Sequence, residues 1–216
     1  MLSELQRRVA GIVAELAEAD DFVLAGGAAL ILHGMVERST RDLDYFATAR
    51  ESVAALLPAL EAALRRDGLL VARRRDAPGF VRLEVTDETA HVIEVDLAYD
   101  ARLMPTQASQ LGPALHPDEL AADKMLALYG RAEGRDFHDV AALTERYSTE
   151  QLLELAVTKD RGFDRRRFTE MLGSIDRLRD ADFPDPQRAG ELRAWIRRWR
   201  RDLMLSLQDR EHGRER

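Results

Sequence analysis

Between Phe80 and Ala98 apolar residues alternate with polar ones, and beyond His116 they recur at helical spacing instead. This change of period constrains the fold more than any other feature of the chain. Val81, Leu83 and Val85 alternate with Arg82, Glu84 and Thr86, and Ile93, Val95 and Leu97 alternate with Glu94 and Asp96. Period two turns one face of a strand to a core and the other away from it. Asp87-Glu88 between the runs reads as a hairpin turn, which makes the pair antiparallel. Leu69–Arg74 and Arg41–Phe46 read as further strands, and FVLA (Phe22–Ala25) as a short buried strand ending in Gly26-Gly27.

Helices are expected around these strands. Leu2, Leu5, Val9, Ile12, Val13 and Leu16 form an opening amphipathic stripe. AALILH follows the glycine pair, with Gly34 as a left-handed stop. Ser52 to Arg66 is an Ala/Leu-rich helix that stops near Gly68. A connector containing Pro and Gly, Met104–His116, separates this half from helices over Pro117–Tyr129, Arg135–Tyr147, Thr149–Thr158, Asp164–Leu178 and Asp185–Leu207. Strands followed by helices predict an α+β protein, a mixed-sheet core over 1–104 and a helical part over 105–216.

No apolar run is long enough to span a bilayer, and the start lacks the charged-then-apolar form of a signal peptide. With no cysteine there are no disulfides or thiolate metal sites, which suits the cytoplasm. Residues 159–216 carry 16 Lys and Arg against 12 Asp and Glu, and the rest of the chain 16 against 27. The charge division reads as solvated helix faces, or as an acidic metal-binding body with a basic part for a polyanion.

Asp42 and Asp44 stand two apart on one strand and project together. Two ionised carboxylates that close repel unless a cation lies between them. Mg²⁺ takes oxygen ligands and is often held by one or two carboxylates plus substrate phosphates. Asp96, from a neighbouring strand, is a candidate third ligand, and three such carboxylates would suit two-metal phosphoryl transfer. The bland reading is a D-x-D pair at a strand end.

Around the pair lie other candidates. Gly26, Gly27 and Ala28 between strand and helix bring backbone N–H groups close to a phosphate, or simply make a tight turn. Arg38 and Arg41 flank Ser39 and Thr40, as ion-pair partners or as phosphate ligands. Lys124, one of two lysines against 30 arginines, sits among leucines with Arg131 two turns on. It snorkels or faces a site. Asp136 caps the next helix or is catalytic. Asp139 pairs with Arg135 or is catalytic. Trp195 and Trp199 lie on the apolar stripe of the last helix, with Arg197, Arg198, Arg200 and Arg201 around it.

Taken in order, strand-Gly-Gly-helix, R-x-[ST]-x-D-[LI]-D, a later strand aspartate, K-x₃-L-x₂-R and R-D-x-x-D resemble the AbiEii/AbiGii toxin family, over Phe22 to about Leu143. The resemblance implies a polymerase-β-like nucleotidyltransferase core followed by helices. It implies an NTP on the Gly-Gly turn, Mg²⁺ on Asp42 and Asp44, Lys124 against phosphate, and a carboxylate from Asp136 or Asp139. It also implies transfer of nucleotides to the 3′ end of tRNA, which blocks translation. A cognate antitoxin would act, by phosphorylation of Thr40 with Ser39 second. Ala28 departs from the Ser or Thr that many relatives of the wider fold place there, leaving backbone donors alone. A protein or small-molecule acceptor, a degenerate binding partner and a D-x-D glycosyltransferase are the alternatives. Oligomeric state is left open, with a monomer favoured.

Overall fold

The computed structural model describes the backbone of residues 1–214 and the side chains of residues 1–209. Residues 210–216, which carry part of the basic balance, lie outside the described side chains. The chain divides into two compact units, Met1–Leu120 and Ala121–Arg216. The α+β class expected from the sequence is the one observed.

The first unit is built on a seven-stranded mixed sheet. Its strands are β1 (Val23–Ala25), β2 (Asp42–Ala47), β3 (Leu70–Ala77), β4 (Phe80–Thr86), β5 (Val92–Tyr99), β6 (Gln107–Ser109) and β7 (Gly112–Ala114). Their order is β3-β4-β5-β2-β1-β7-β6. β2 runs parallel to β5 and antiparallel to β1, and β4 is antiparallel to β5. Helices α1 (Glu4–Ala14), α2 (Gly26–Leu32) and α3 (Arg50–Arg66) complete it.

Sequence chemistry sets these boundaries. Ser3 and Gln6 form a capping box at the start of α1. Gly34, at φ +62°, ends α2 with the Met35 N–H on the Leu30 carbonyl at 2.9 Å. Gly68 ends α3 in the same way, at φ +81°. Leu43 of β2, Leu83 and Val85 of β4, and Val95 and Leu97 of β5 are fully buried on one face of the sheet. Each fully buried Leu or Val contributes about 1.5–3 kcal/mol. A one-residue slip would exchange these side chains for the carboxylates on the other face, so the register is fixed.

Two expectations about the sheet need correction. The connector Met104–His116 contains β6 and β7, and β7 pairs in parallel with β1 at Leu24↔Ala114. The apolar Ala114 and Leu115 are buried there, and the Leu115 N–H bonds the Leu24 carbonyl at 2.9 Å. The turn between β4 and β5 spans Asp87–His91 rather than Asp87-Glu88. The Asp87 carboxylate accepts the N–H groups of Thr89 and His91 at 2.8 and 2.9 Å, and Ala90 adopts φ +64°.

Asp21 anchors the entry to α3. Its carboxylate accepts the Thr48 N–H and hydroxyl, the Ala49 N–H and the Ser52 hydroxyl, at 2.7–3.1 Å. Burial raises its pKa, but the Thr48 hydroxyl and the other donors outweigh this and hold it below the usual 3.8. A depressed folded pKa adds stability above the unfolded value, and that stability is lost as pH falls through the folded one. Asp21→Asn should therefore lower the urea midpoint at neutral pH. The gap to the parent should close as pH drops below 3.8; a gap that widens on acidification would contradict the assignment.

The second unit contains the rest of α4 (Pro117–Gly130), then α5 (Gly134–Leu143), α6 (Thr149–Lys159), α7 (Arg165–Leu172) and α8 (Ala189–Arg214). The expected helix Asp164–Leu178 is α7 followed by a 3₁₀ turn over Gly173–Arg177. The core holds a chain of ring contacts from Tyr129 through Phe163 and Phe168 to Trp199 and Trp195, with centroids 4.9–5.4 Å apart. Among the described residues no helix is long and apolar enough to cross a membrane.

Candidate active site

On the sheet face opposite the apolar core, the register sets charged residues side by side. Asp44 pairs with Ala25 on one side and Asp96 on the other, and Asp96 pairs with Arg82. The next row holds Asp42, Glu94 and Glu84. Directly paired residues on adjacent strands share a face. β2, β5 and β4 therefore present Asp42 and Asp44, Glu94 and Asp96, and Arg82 on one surface.

The glycine turn meets this surface at Asp44. Gly26 sits at φ +56°, and a Cβ placed there would lie 1.8 Å from Asp44 Oδ2. No other residue fits both the backbone and the carboxylate. A Cβ on Gly27 would lie 3.0 Å from both Arg38 Nη2 and Thr40 Oγ1. The Gly-Gly turn, Asp44, Arg38 and Thr40 thus form one cluster. The Thr40 hydroxyl donates to Asp42 Oδ1. Gln6 is fully buried and donates to the carbonyls of Thr40 and Asp42 at 3.2 and 3.3 Å, tying α1 to the strand entry. Ser39 and Arg41 are exposed beside it, and Ala28 is buried in α2.

Asp96 is 6% exposed, and Arg82 grips both of its oxygens, Nε to Oδ1 at 2.8 Å and Nη2 to Oδ2 at 2.6 Å. Arg82 Nη1 lies 3.1 Å from Glu94 Oε2. The hydrogen bonds to Asp96 hold the guanidinium well above its usual range, burial opposes this, and the charges of Asp96, Glu94 and Asp44 reinforce it.

Half-buried Asp42 and Asp44 offer oxygen donors of the hard type that Mg²⁺ takes together with substrate phosphates. Among the described residues no three acidic or histidine side chains form a metal cage. The two carboxylates are of the donor type that a divalent cation takes together with further oxygen ligands.

In the second unit, Lys124 is 7% exposed and its Nζ lies 2.9 Å from Oδ2 of Asp139, which is fully buried. His138 Nδ1 is 3.5 Å from Asp139 Oδ1. Asp136, also fully buried, accepts from Arg131 at 2.8 and 2.9 Å and from the Glu133 N–H at 3.1 Å, so it caps α5. Arg197 pairs with Asp176 at 2.7 Å, and Arg200 donates to the Thr169 carbonyl at 3.1 Å and packs against Gly173. Arg198 and Arg201 are exposed. Trp199 is buried and Trp195 half-buried.

Sequence reasoning missed Arg82 and Gln6. A two-residue turn at Asp87-Glu88 would pair Arg82 with Ile93, on the other face. Only the five-residue turn brings it opposite Asp96. Gln6 left its mark solely as the partner of Ser3 in the capping box.

Solved structures that share this architecture include the following two. JHP933 from Helicobacter pylori is 17% identical with a TM-score of 0.56, over 99% of this chain and 100% of that one. MenT4, a nucleotidyltransferase toxin from Mycobacterium tuberculosis H37Rv, is 19% identical with a TM-score of 0.59, over 94% of this chain and 90% of that one. The fold is therefore one found among nucleotidyltransferase toxins. The family model described as "Nucleotidyl transferase AbiEii toxin, Type IV TA system" matches residues 9–212, and the chain belongs to that family. No curated protein matches it. Membership implies an NTP substrate and an antitoxin partner.

Proposed function

We propose that the chain transfers a nucleotide from an NTP to the 3′ end of tRNA in the cytoplasm, with Mg²⁺ as cofactor. The observation that carries this reading is the cluster of Asp42 and Asp44 against the Gly26-Gly27 turn. Asp42 and Asp44 would hold the Mg²⁺, which on binding would neutralise charge on the reacting phosphates. Backbone donors at the turn, with Arg38 and Arg41, would hold the triphosphate. Lys124, Asp139 and Asp136 are retained as candidate catalytic residues on the family pattern, Asp139 ahead of Asp136 because Asp136 already caps a helix. The helical part proposed to belong to the enzyme begins at α4, because residues 107–114 carry the strands β6 and β7 of the sheet.

Contact with the RNA backbone falls to Arg198 and Arg201, because Arg197 and Arg200 bond within their own unit. Antitoxin control would act at Thr40, with Ser39 second. A phosphate on the Thr40 oxygen would replace its hydrogen bond to Asp42 with two further negative charges beside it.

The test incubates the protein with Mg²⁺, total bacterial RNA and each labelled NTP in turn, with Asp42→Ala as control. Label in tRNA-sized RNA, lost in the control by at least about 100-fold, is the expected result. Label in protein or small molecules instead would replace tRNA as acceptor. No transfer to anything would leave a degenerate binding partner.

A further inference from the structure

We propose that Arg82 is a positioning residue that keeps Asp96 out of the metal site, so that the chain takes its divalent cation on Asp42 and Asp44 alone. The inference rests on the proposed metal reading of that pair.

The row across the sheet reads Arg82, Asp96, Asp44, one residue from each of β4, β5 and β2. Asp96 therefore stands one strand spacing from Asp44, on the same face, where a third ligand would be expected. Its chemistry is already committed. Both oxygens receive charge-assisted N–H donors from one planar fork, at 2.8 and 2.6 Å. The carboxylate is nearly buried, so giving up either bond to reach a cation would forfeit a charge-assisted partner that little water could replace on the Asp96 side, although the Arg82 side chain itself is 38% exposed. The fork is also braced. Its third nitrogen lies 3.1 Å from Glu94, two residues before Asp96 on the same face of β5. Swinging Arg82 away from Asp96 would disturb two ion pairs at once.

The arrangement balances charge. Asp42, Asp44, Glu94 and Asp96 share a face, and Arg82 is the cation set among them by the register. It offsets part of their repulsion before any metal arrives. Asp96 is then the counter-ion that orients Arg82, and Arg82 is the reason that Asp96 is not a ligand.

The test must separate ligation from charge. Two double variants carry the same net charge as the parent, Arg82→Met with Glu94→Gln, and Arg82→Met with Asp96→Asn. Only the first frees Asp96. Mn²⁺ is titrated alone into each folded variant, and free ion is counted by electron paramagnetic resonance. The first double variant should bind Mn²⁺ about tenfold more tightly than the second, with the parent close to the second. Equal binding in the two double variants would overturn the proposal. If Arg82→Met does not fold, Arg82→Gln in the same two pairings gives the same comparison. Asp44→Ala in the parent checks the reading beneath. Parent binding that survives it would overturn the metal assignment of Asp42 and Asp44. No Mn²⁺ binding by any variant, either alone or beyond that of NTP itself when NTP is added, would overturn both.

Discussion

Gly26→Ala is expected to lower nucleotide transfer by at least about 100-fold, because it displaces Asp44 rather than removing it. A left-handed alanine costs roughly 1–2 kcal/mol against glycine. The larger effect is steric. The new Cβ would meet Asp44 not only at Oδ2 but at Cγ, 2.6 Å away, and at Cβ, 3.1 Å away. The short aspartate side chain has no rotamer-rich stem with which to retreat, so the carboxylate must leave its place against the turn. Gly27→Ala is the control. Its Cβ would press on the ends of the Arg38 and Thr40 side chains, which can yield. It should weaken apparent NTP affinity and leave the maximal rate within about tenfold. Equal rates for parent and Gly26→Ala would mean that the turn does not set the carboxylate.

The second large effect concerns the buried pair Lys124–Asp139. Lys124→Met should destabilise the protein by about 3 kcal/mol, since it takes a charged partner from a fully buried carboxylate. Asp139→Leu should do similar damage by stranding a nearly buried ammonium. Joining the two changes should recover much of the lost stability, because a packed apolar pair can replace a buried ion pair. Urea unfolding of the four proteins measures this coupling. If Lys124 is catalytic as well as structural, the double variant should regain its midpoint without regaining transfer. Recovery of both would confine Lys124 to holding α4 against α5.

Much of this was written locally. The alternation in β4 and β5, the glycine stops at Gly34 and Gly68, and the Asp42/Asp44 spacing each follow from rules that act over a few residues. The short β6 and β7 escaped because three residues are too few to show a period, and Pro113 within β7 reads as a connector. The partners of the site carboxylates escaped for a different reason. Arg82 and Asp96 meet only when the turn length is known, and that length is set by the side chain of Asp87. Lys124 and Asp139 are fifteen residues apart, joined by an ion pair from α4 to α5 rather than by any spacing on one helix.

The sheet also ends in a particular way on each side. An open strand edge offers unpaired amides and carbonyls to any other chain, and a seven-stranded sheet has two such edges. At β3 three successive arginines, Arg73 to Arg75, ride on a strand whose register shifts between Arg73 and Arg75. Incoming strands would meet like charge and a kinked ladder. At the other edge β6 is only three residues long, too short to template anything. Both flanks are thereby shielded against edge-to-edge recruitment and fibre growth, one by charge and irregularity, the other by brevity.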